Sequence, residues 1–281
     1  MSESEFRTYC ETEFAPLKHV LLCPAKYLKI EEVINETQKH YQHEPLNTEK
    51  AARQHKEFVR ILESQGIKTH LLEPSEKYPE QVFTRDIGFT VGRKIFIANM
   101  EMDIRFGEEA LLKEWLTNAD AEFVDLKGAG IEGGDVLIHG RTVYVGISER
   151  TSSESVPLLQ NYLPGYEIVP VPIKKEYLHL DCVFNIISEN EALLYPPALN
   201  QDEIDKLSAR FNMIEVNEED QFRLGVNVLS IGYKKLIALP GNKHTNNQLK
   251  KLGYEIIEAD LSEIIKSGGA FRCCTLPLLR G

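Results

Sequence analysis

Four short islands in this 281-residue chain carry the side chains that polar chemistry requires. The first is Phe83-Thr84-Arg85-Asp86. The second, Glu132-Gly133-Gly134-Asp135, sets two carboxylates around a glycine pair. In His179-Leu180-Asp181 an imidazole stands two residues before another carboxylate, and Gly268-Gly269-Ala270-Phe271-Arg272-Cys273-Cys274-Thr275 contains adjacent thiols. A cysteine, a histidine and several carboxylates on separate segments are the parts of nucleophilic thiol catalysis. Glycines ahead of Cys273 let the backbone pass close to a ligand. The aspartates suit a planar, multiply hydrogen-bonding cation, because carboxylates pair bidentately with guanidinium. Taken singly, each island has a plainer reading: Asp86 as a turn residue, Glu132 in a solvated loop, His179 as a hydrogen-bonded core histidine, Cys273 and Cys274 as inert buried thiols.

The elements that must position these groups follow a recurring pattern, a helix-like amphipathic stretch, a break and a short β-like run. It is found at residues 61–74, 114–126, 158–172, 208–216 and 248–260, with strands expected near 67, 121, 166, 212 and 254. In the first unit Ala52, His55, Phe58, Val59 and Leu62 fall at helical spacing, and Gly66 suits the position just past a helix end. Five similar units read as an internal repeat, although five unrelated helix–strand pairs would give much the same spacing. Further short strands are expected at 20–23, 87–92, 94–100, 136–140, 142–146 and 235–240, and HLDCVFNII from His179 reads as β-like. Mixed helices and strands without a linker give one α/β or α+β domain.

Gly128, Gly130 and Gly133 satisfy a G-x-G-x-x-G spacing, but residues 134–145 read as a β-hairpin. Without a helix opening at the motif there is no dipole to hold a pyrophosphate, so a nucleotide site is not expected. The glycines instead suit a close backbone approach around Glu132.

Composition excludes several classes. Hydrophobic residues make up 42% and charged residues 27%, the balance of a globular protein and not of a disordered chain. The net charge of −11, from 32 Lys+Arg against 43 Asp+Glu, argues against nucleic-acid binding and is compatible with a cationic substrate. Met1 to Phe14 carries Glu3, Glu5, Glu11 and Glu13 with no apolar stretch, so no signal peptide is expected, and no run is long enough for a membrane helix. Cys10, Cys23, Cys182, Cys273 and Cys274 form no CxxC pair and read as reduced thiols in a cytoplasmic protein.

FTRD (83–86), EGGDVL (132–137), GISERT (146–151), HLDCVF (179–184) and GGAFRCCT (268–275) together resemble the guanidine-modifying enzymes of the pentein superfamily. These include dimethylarginine dimethylaminohydrolase, arginine deiminase and the amidinotransferases. The resemblance runs from about residue 20 onward. It implies a five-fold pseudo-symmetric α/β propeller in a single catalytic domain, residues 1–281. It also implies Cys273 as nucleophile with Cys274 as a packed neighbour, His179 as general acid/base, and Glu132 as the carboxylate partnering the histidine and the substrate nitrogens. Asp86 and Asp181 would grip the guanidinium, and Arg150 and the less securely matched Arg105 would hold the substrate carboxylate.

The implied activity is a C–N hydrolase that releases citrulline and ammonia or an alkylamine through a Cys-linked thiouronium, with no metal or organic cofactor. Transfer of the amidino group to an amine is the alternative. A non-catalytic pentein scaffold is expected to lose the Cys, His or acid, and all are retained. The partner is a small cationic guanidino compound; a homo-oligomer is compatible. Size and the adjacent Cys-Cys resemble the dimethylarginine hydrolases. Asp181 resembles the deiminases and amidinotransferases instead, and a carboxylate facing a methylated nitrogen would lose a hydrogen bond.

Overall fold

The computed structural model describes residues 7–281, so Glu3 and Glu5 of the acidic leading stretch lie outside it. Strand β1 (Leu17–Leu22) is followed by helices α1 (Glu36–Tyr41) and α2 (Thr48–Ser64), then β2 (Lys68–Leu71). Next come β3 (Gly88–Val91), β4 (Lys94–Ile97), helix α3 (Glu108–Asn118) and β5 (Phe123–Asp125). The order repeats with β6 (Val136–His139), β7 (Thr142–Ile147), α4 (Ser155–Tyr162) and β8 (Glu167–Pro172). It repeats again with β9 (Phe184–Ile186), β10 (Glu191–Leu194), α5 (Gln201–Ser208) and β11 (Asn212–Glu215). After α6 (Glu218–Phe222), the last full repeat is β12 (Leu229–Gly232), β13 (Lys235–Ala238), α7 (Lys243–Lys251) and β14 (Glu255–Glu258). The final strand is β15 (Leu276–Arg280).

These strands form five three-stranded sheets of one topology. In each, a middle strand pairs antiparallel with the strand before it and parallel with the strand after it, which lies across a helix. A parallel neighbour requires such a crossover, whereas an antiparallel one needs only a tight turn. The sheet around β1 differs only in connectivity: its antiparallel partner is β15, with Leu17 opposite Arg280 and Leu21 opposite Leu276.

Burial follows the same logic. The middle strands carry buried apolar runs, as in Val20-Leu21-Leu22, Ile95-Phe96-Ile97 and Leu236-Ile237-Ala238. The third strands are partly exposed, so β2 and β14 alternate less cleanly. Helix α2 buries Ala51, Gln54, His55, Phe58 and Leu62, is capped by Asn47, whose side chain accepts from Lys50 N, and is followed by Gly66 at φ +78°.

The five expected strand starts near 67, 121, 166, 212 and 254 each lie within two residues of β2, β5, β8, β11 and β14. The hairpin after the glycine motif is β6–β7, and the turn joining Glu132 to it is a 3-10 turn, Gly133–Asp135. One local expectation is corrected: His179 does not begin a strand. Leu180–Cys182 form a 3-10 turn, and β9 starts only at Phe184, because Asp135 captures the Leu180 amide that a strand would have paired.

Candidate active site

The repeat explains how distant residues meet. Each sheet's first strand is preceded by a buried turn, and those turns carry Asp86 before β3, Glu132 before β6, His179 and Asp181 before β9, Asn227 before β12 and Cys273 before β15. Backbone bonds lock neighbouring turns together: Gly133 N donates to Asp86 O at 3.1 Å, and Arg85 N to Cys273 O at 3.0 Å. Glycine is required where the turns press closest. A Cβ on Gly134 would come within 2.7 Å of the His179 ring, and one on Gly269 would collide with Phe83.

His179 Nε2 lies 2.8 Å from Glu132 Oε2, and His179 Nδ1 lies 3.7 Å from Asp86 Oδ1. Burial opposes charge on this ring. Asp86, the Glu132 hydrogen bond and Asp135 outweigh it and lift the imidazolium to about 10. Burial likewise opposes ionisation of Glu132, but the hydrogen bond and charge of His179, then Arg150 and Arg105, hold its carboxyl well below the ordinary range. Asp135 is pushed up to about 6 by burial and stands behind the pair, accepting from Leu180 N and Ser148 Oγ at 2.8 and 2.7 Å.

A small cavity, of about 10 Å³, opens beside Asp86 of this cluster, lined by Cys273, Asp86, Arg105 and Arg150 together with Glu80, Phe83 and Ser267. Cys273 is only 2% exposed because the segment around α1 lies over the opening. Arg150 Nη2 donates to Ile34 O at 3.1 Å, and Asn35 Nδ2 and Gln38 Nε2 each donate to Ser267 O at 3.2 Å.

The two arginines differ. Arg105 is fully committed, with Nη1 2.6 Å from Asp86 Oδ2 and with Nε and Nη2 on Glu108. Arg150 leaves its buried Nη1 without a hydrogen-bond partner among the described residues, 3.7 Å from Glu132 Oε1. Asp181 is not among the residues lining the cavity. Its Oδ2 faces Arg272 Nε at 3.4 Å, while its Oδ1 lies 3.5 Å from Cys182 Sγ and 4.0 Å from Cys273 Sγ. Cys274 packs behind the nucleophile candidate, fully buried.

Two carboxyl-lined groups could in principle chelate a cation: Asp86, Glu132 and His179, and Asp181, Cys182 and Cys273, each with ligand atoms within 4.8 Å of one another. The 2.8 Å contact between His179 Nε2 and Glu132 Oε2 also suits the first group to holding and moving a proton.

Two residues were missed by sequence reasoning. Asn227 accepts from Arg272 N and Cys273 N at 3.0 and 3.4 Å and donates to Asp181 O at 3.1 Å, which seats the turn bearing the thiol. Its signal is its place in the repeat, ahead of a first strand. Glu80 lines the cavity and bonds Gln38, and burial pushes its carboxyl up to about 7. Nothing local in the sequence marks it.

A family described as N,N dimethylarginine dimethylhydrolase, eukaryotic, matches residues 24–280. The chain belongs to this family. It is a member of the guanidine-modifying pentein superfamily, and its relatives support guanidino-group hydrolase activity in general. It is 50% identical to the uncharacterized protein YkgA of Bacillus subtilis (strain 168) over 99% of this chain and 98% of that protein. It is 27% identical to the N(G),N(G)-dimethylarginine dimethylaminohydrolase of Mycobacterium tuberculosis over 80% of this chain and 73% of the relative. Among solved structures, the substrate-bound N-terminal domain of ArgZ, an arginine dihydrolase from cyanobacteria, superposes with a TM-score of 0.85. There the identity is 25%, over 92% of this chain and 97% of that one.

Proposed function

We propose that this member of the family hydrolyses the guanidinium of arginine or of an N-methylated arginine, with Cys273 as the nucleophile. The observation that carries the reading is a pair of buried, unsatisfied atoms beside a thiol-lined cavity. His179 Nδ1 and Asp86 Oδ1 face each other, and neither has a hydrogen-bond partner among the described residues. Buried polar atoms without partners are costly, and a guanidinium supplies N–H donors for the carboxylate while placing a nitrogen within reach of the imidazolium.

In this mechanism Cys273 Sγ, as thiolate, bonds to the guanidinium carbon. His179 enters the reaction already protonated and passes its proton to the departing nitrogen as the C–N bond breaks, leaving a thiouronium on the sulfur. Water then loses a proton to His179 and adds to the same carbon, and the C–S bond breaks as the added hydroxyl gives its proton to solvent, leaving a ureido product, the thiolate and the imidazolium. Glu132 keeps the ring oriented and charged.

Arg150, with its unpaired Nη1, takes the substrate carboxylate. Arg105 serves by fixing Asp86, and Glu80 offers a negative charge to the ammonium end of an amino acid. Asp181 lies on the sulfur side with Oδ2 engaged by Arg272, so the ω-nitrogens meet Asp86 Oδ1 from the cavity and Asp181 Oδ1 only from beside the sulfur. Arginine and its methylated forms both satisfy these contacts.

The five like sheets are read as blades of one propeller domain spanning the chain. Five free thiols fit a reducing, cytoplasmic setting. Among the described residues no helix is long and apolar enough to cross a membrane.

The deciding experiment incubates the purified protein separately with arginine, monomethylarginine and asymmetric dimethylarginine, following citrulline and the released amine. Citrulline from at least one of them, lost in Cys273→Ser, supports the reading. Consumption of guanidino substrate only when a second amine is added would make the protein an amidinotransferase instead, and no consumption of any of the three would overturn the reading.

A further inference from the structure

A second, small cavity, of about 10 Å³, lies among Cys10, Thr12, Glu13, Arg85, Thr90 and Ile138, with Pro277 and Arg280 completing it, and shares no lining residue with the first. Charge around it does not balance. Arg85, Arg272 and Arg280 are each at most 3% exposed, and two carboxylates face them, Glu13 and Asp181. Arg272 takes the better share of both acids, with Nη1 3.0 Å from Glu13 Oε2 and Nε 3.4 Å from Asp181 Oδ2. Arg85 reaches Glu13 only at 3.8 Å, beyond hydrogen-bond length. Arg280 spends Nη1 on the carbonyls of Ala15 and Ser230 at 2.8 and 3.0 Å and meets no carboxylate within ion-pair distance among the described residues. Cys10 cannot make up the difference, because burial pushes its thiol up to about 12 and keeps it neutral.

The donors are left over as well. Nε and Nη2 of Arg85 and Nε and Nη2 of Arg280 are buried without a hydrogen-bond partner among the described residues, and both arginines line the cavity. Guanidinium does not relieve burial by losing its proton under ordinary conditions, so the excess charge persists. Burial and the neighbouring guanidiniums press on both groups, consistent with cations short of counter-charge.

We propose that this cavity binds a monovalent, halide-sized anion between Arg85 and Arg280. One negative charge balances three guanidiniums against two carboxylates. A spherical anion accepts from several N–H groups at once without demanding one geometry. The apolar walls from Ile138 and Pro277 suit a weakly hydrated ion such as chloride or bromide. Glu13 is then left to Arg272, which also holds Asp181 beside Cys273.

The test uses the whole protein and needs no turnover. Protein exchanged into sodium gluconate is titrated with sodium bromide or chloride at constant ionic strength while its Tm is followed. A ligand that binds only the folded state raises Tm saturably. Crystals grown in bromide should show an anomalous peak within hydrogen-bond reach of the Arg85 and Arg280 guanidiniums. Arg280→Met removes the excess charge and should melt at the same temperature in gluconate and bromide. Should that variant fail to fold, the wild-type anomalous map alone decides. A map with only water in this cavity, or a wild-type Tm that ignores halide at constant ionic strength, overturns the proposal.

Discussion

Arg105 Nη1 sits 2.6 Å from Asp86 Oδ2, so a carboxylate lining the candidate site is fixed by a buried cation. Glu108 shares the same guanidinium, with Oε2 2.7 Å from Arg105 Nη2. Removing one member of a buried ion group strands the others, at about 3–5 kcal/mol. Arg105→Met is therefore expected to lower stability by about that amount and to lower kcat/KM with any accepted substrate. Chemical denaturation together with steady-state kinetics checks both. Unchanged stability would mean that Asp86 and Glu108 find other partners.

The two adjacent thiols should separate cleanly. Cys273→Ser is expected to cut kcat by about four orders of magnitude or more, as loss of a nucleophile does. Cys274 is fully buried and away from the cavity lining. Cys274→Ser should keep most activity and lose about 1–2 kcal/mol of stability. Trapping the thiouronium by acid quench and locating it by peptide mass spectrometry would identify the reacting sulfur directly.

Asn227 is a positioning residue, acting through the backbone amides of Arg272 and Cys273. Asn227→Ala should lower kcat by about 100-fold, the cost of misplacing a reacting atom by about 1 Å, with a smaller change in KM. Asn227→Asp keeps the accepting oxygen and should recover part of the loss. Equal damage from both variants would point to a purely structural role.

Two titrations fall in accessible ranges. Glu80 sits near 7 in the free protein, and a substrate ammonium group favours its charged form, so KM should fall as pH rises through 7. Glu80→Gln should flatten that dependence. His179 is raised from 6.5 to about 10 in the folded state, so its stabilising contribution is complete below about pH 6.5 and is lost as pH climbs through 10. Denaturant melts of the parent and of His179→Gln should converge at the alkaline end of that window. A constant gap would argue against a charged ring.

The segment over the cavity must shift before a substrate reaches Cys273. Gln38 ties it to Ser267 and Glu80. Gln38→Ala should speed alkylation of Cys273 by iodoacetamide by about tenfold if opening limits access, since losing one such anchor is worth about 1.4 kcal/mol. Unaltered labelling would place the barrier elsewhere.

How much of this was legible in the chain itself depended on range. The strand positions near 67, 121, 166, 212 and 254 were readable because each follows an amphipathic helix and a break, all local signals. Strands β10 and β12 were not among the expected runs, although they are no shorter than β4 and β13, which were. The pairing of β1 with β15 leaves no trace in periodicity because it joins distant segments. The same distinction holds at the site. Glu132, His179 and Cys273 stand out by residue type beside glycines. The commitment of Arg105 to Asp86 and of Asp181 to Arg272 exists only after turns from different repeats have met. Which carboxylate oxygens stay open to a ligand is set by such contacts between repeats.

The late position of β15 has a bearing on biosynthesis. A ribosome making this chain exposes β1 long before its antiparallel partner exists, and that partner is the stretch immediately after Cys273. The sulfur can be seated only once the last strand has zipped onto the first sheet. A nascent or prematurely terminated polypeptide lacking that strand would carry Cys273 but leave β1 without its antiparallel partner, so the candidate site is assembled by closure of the first sheet and not by translation of the residue.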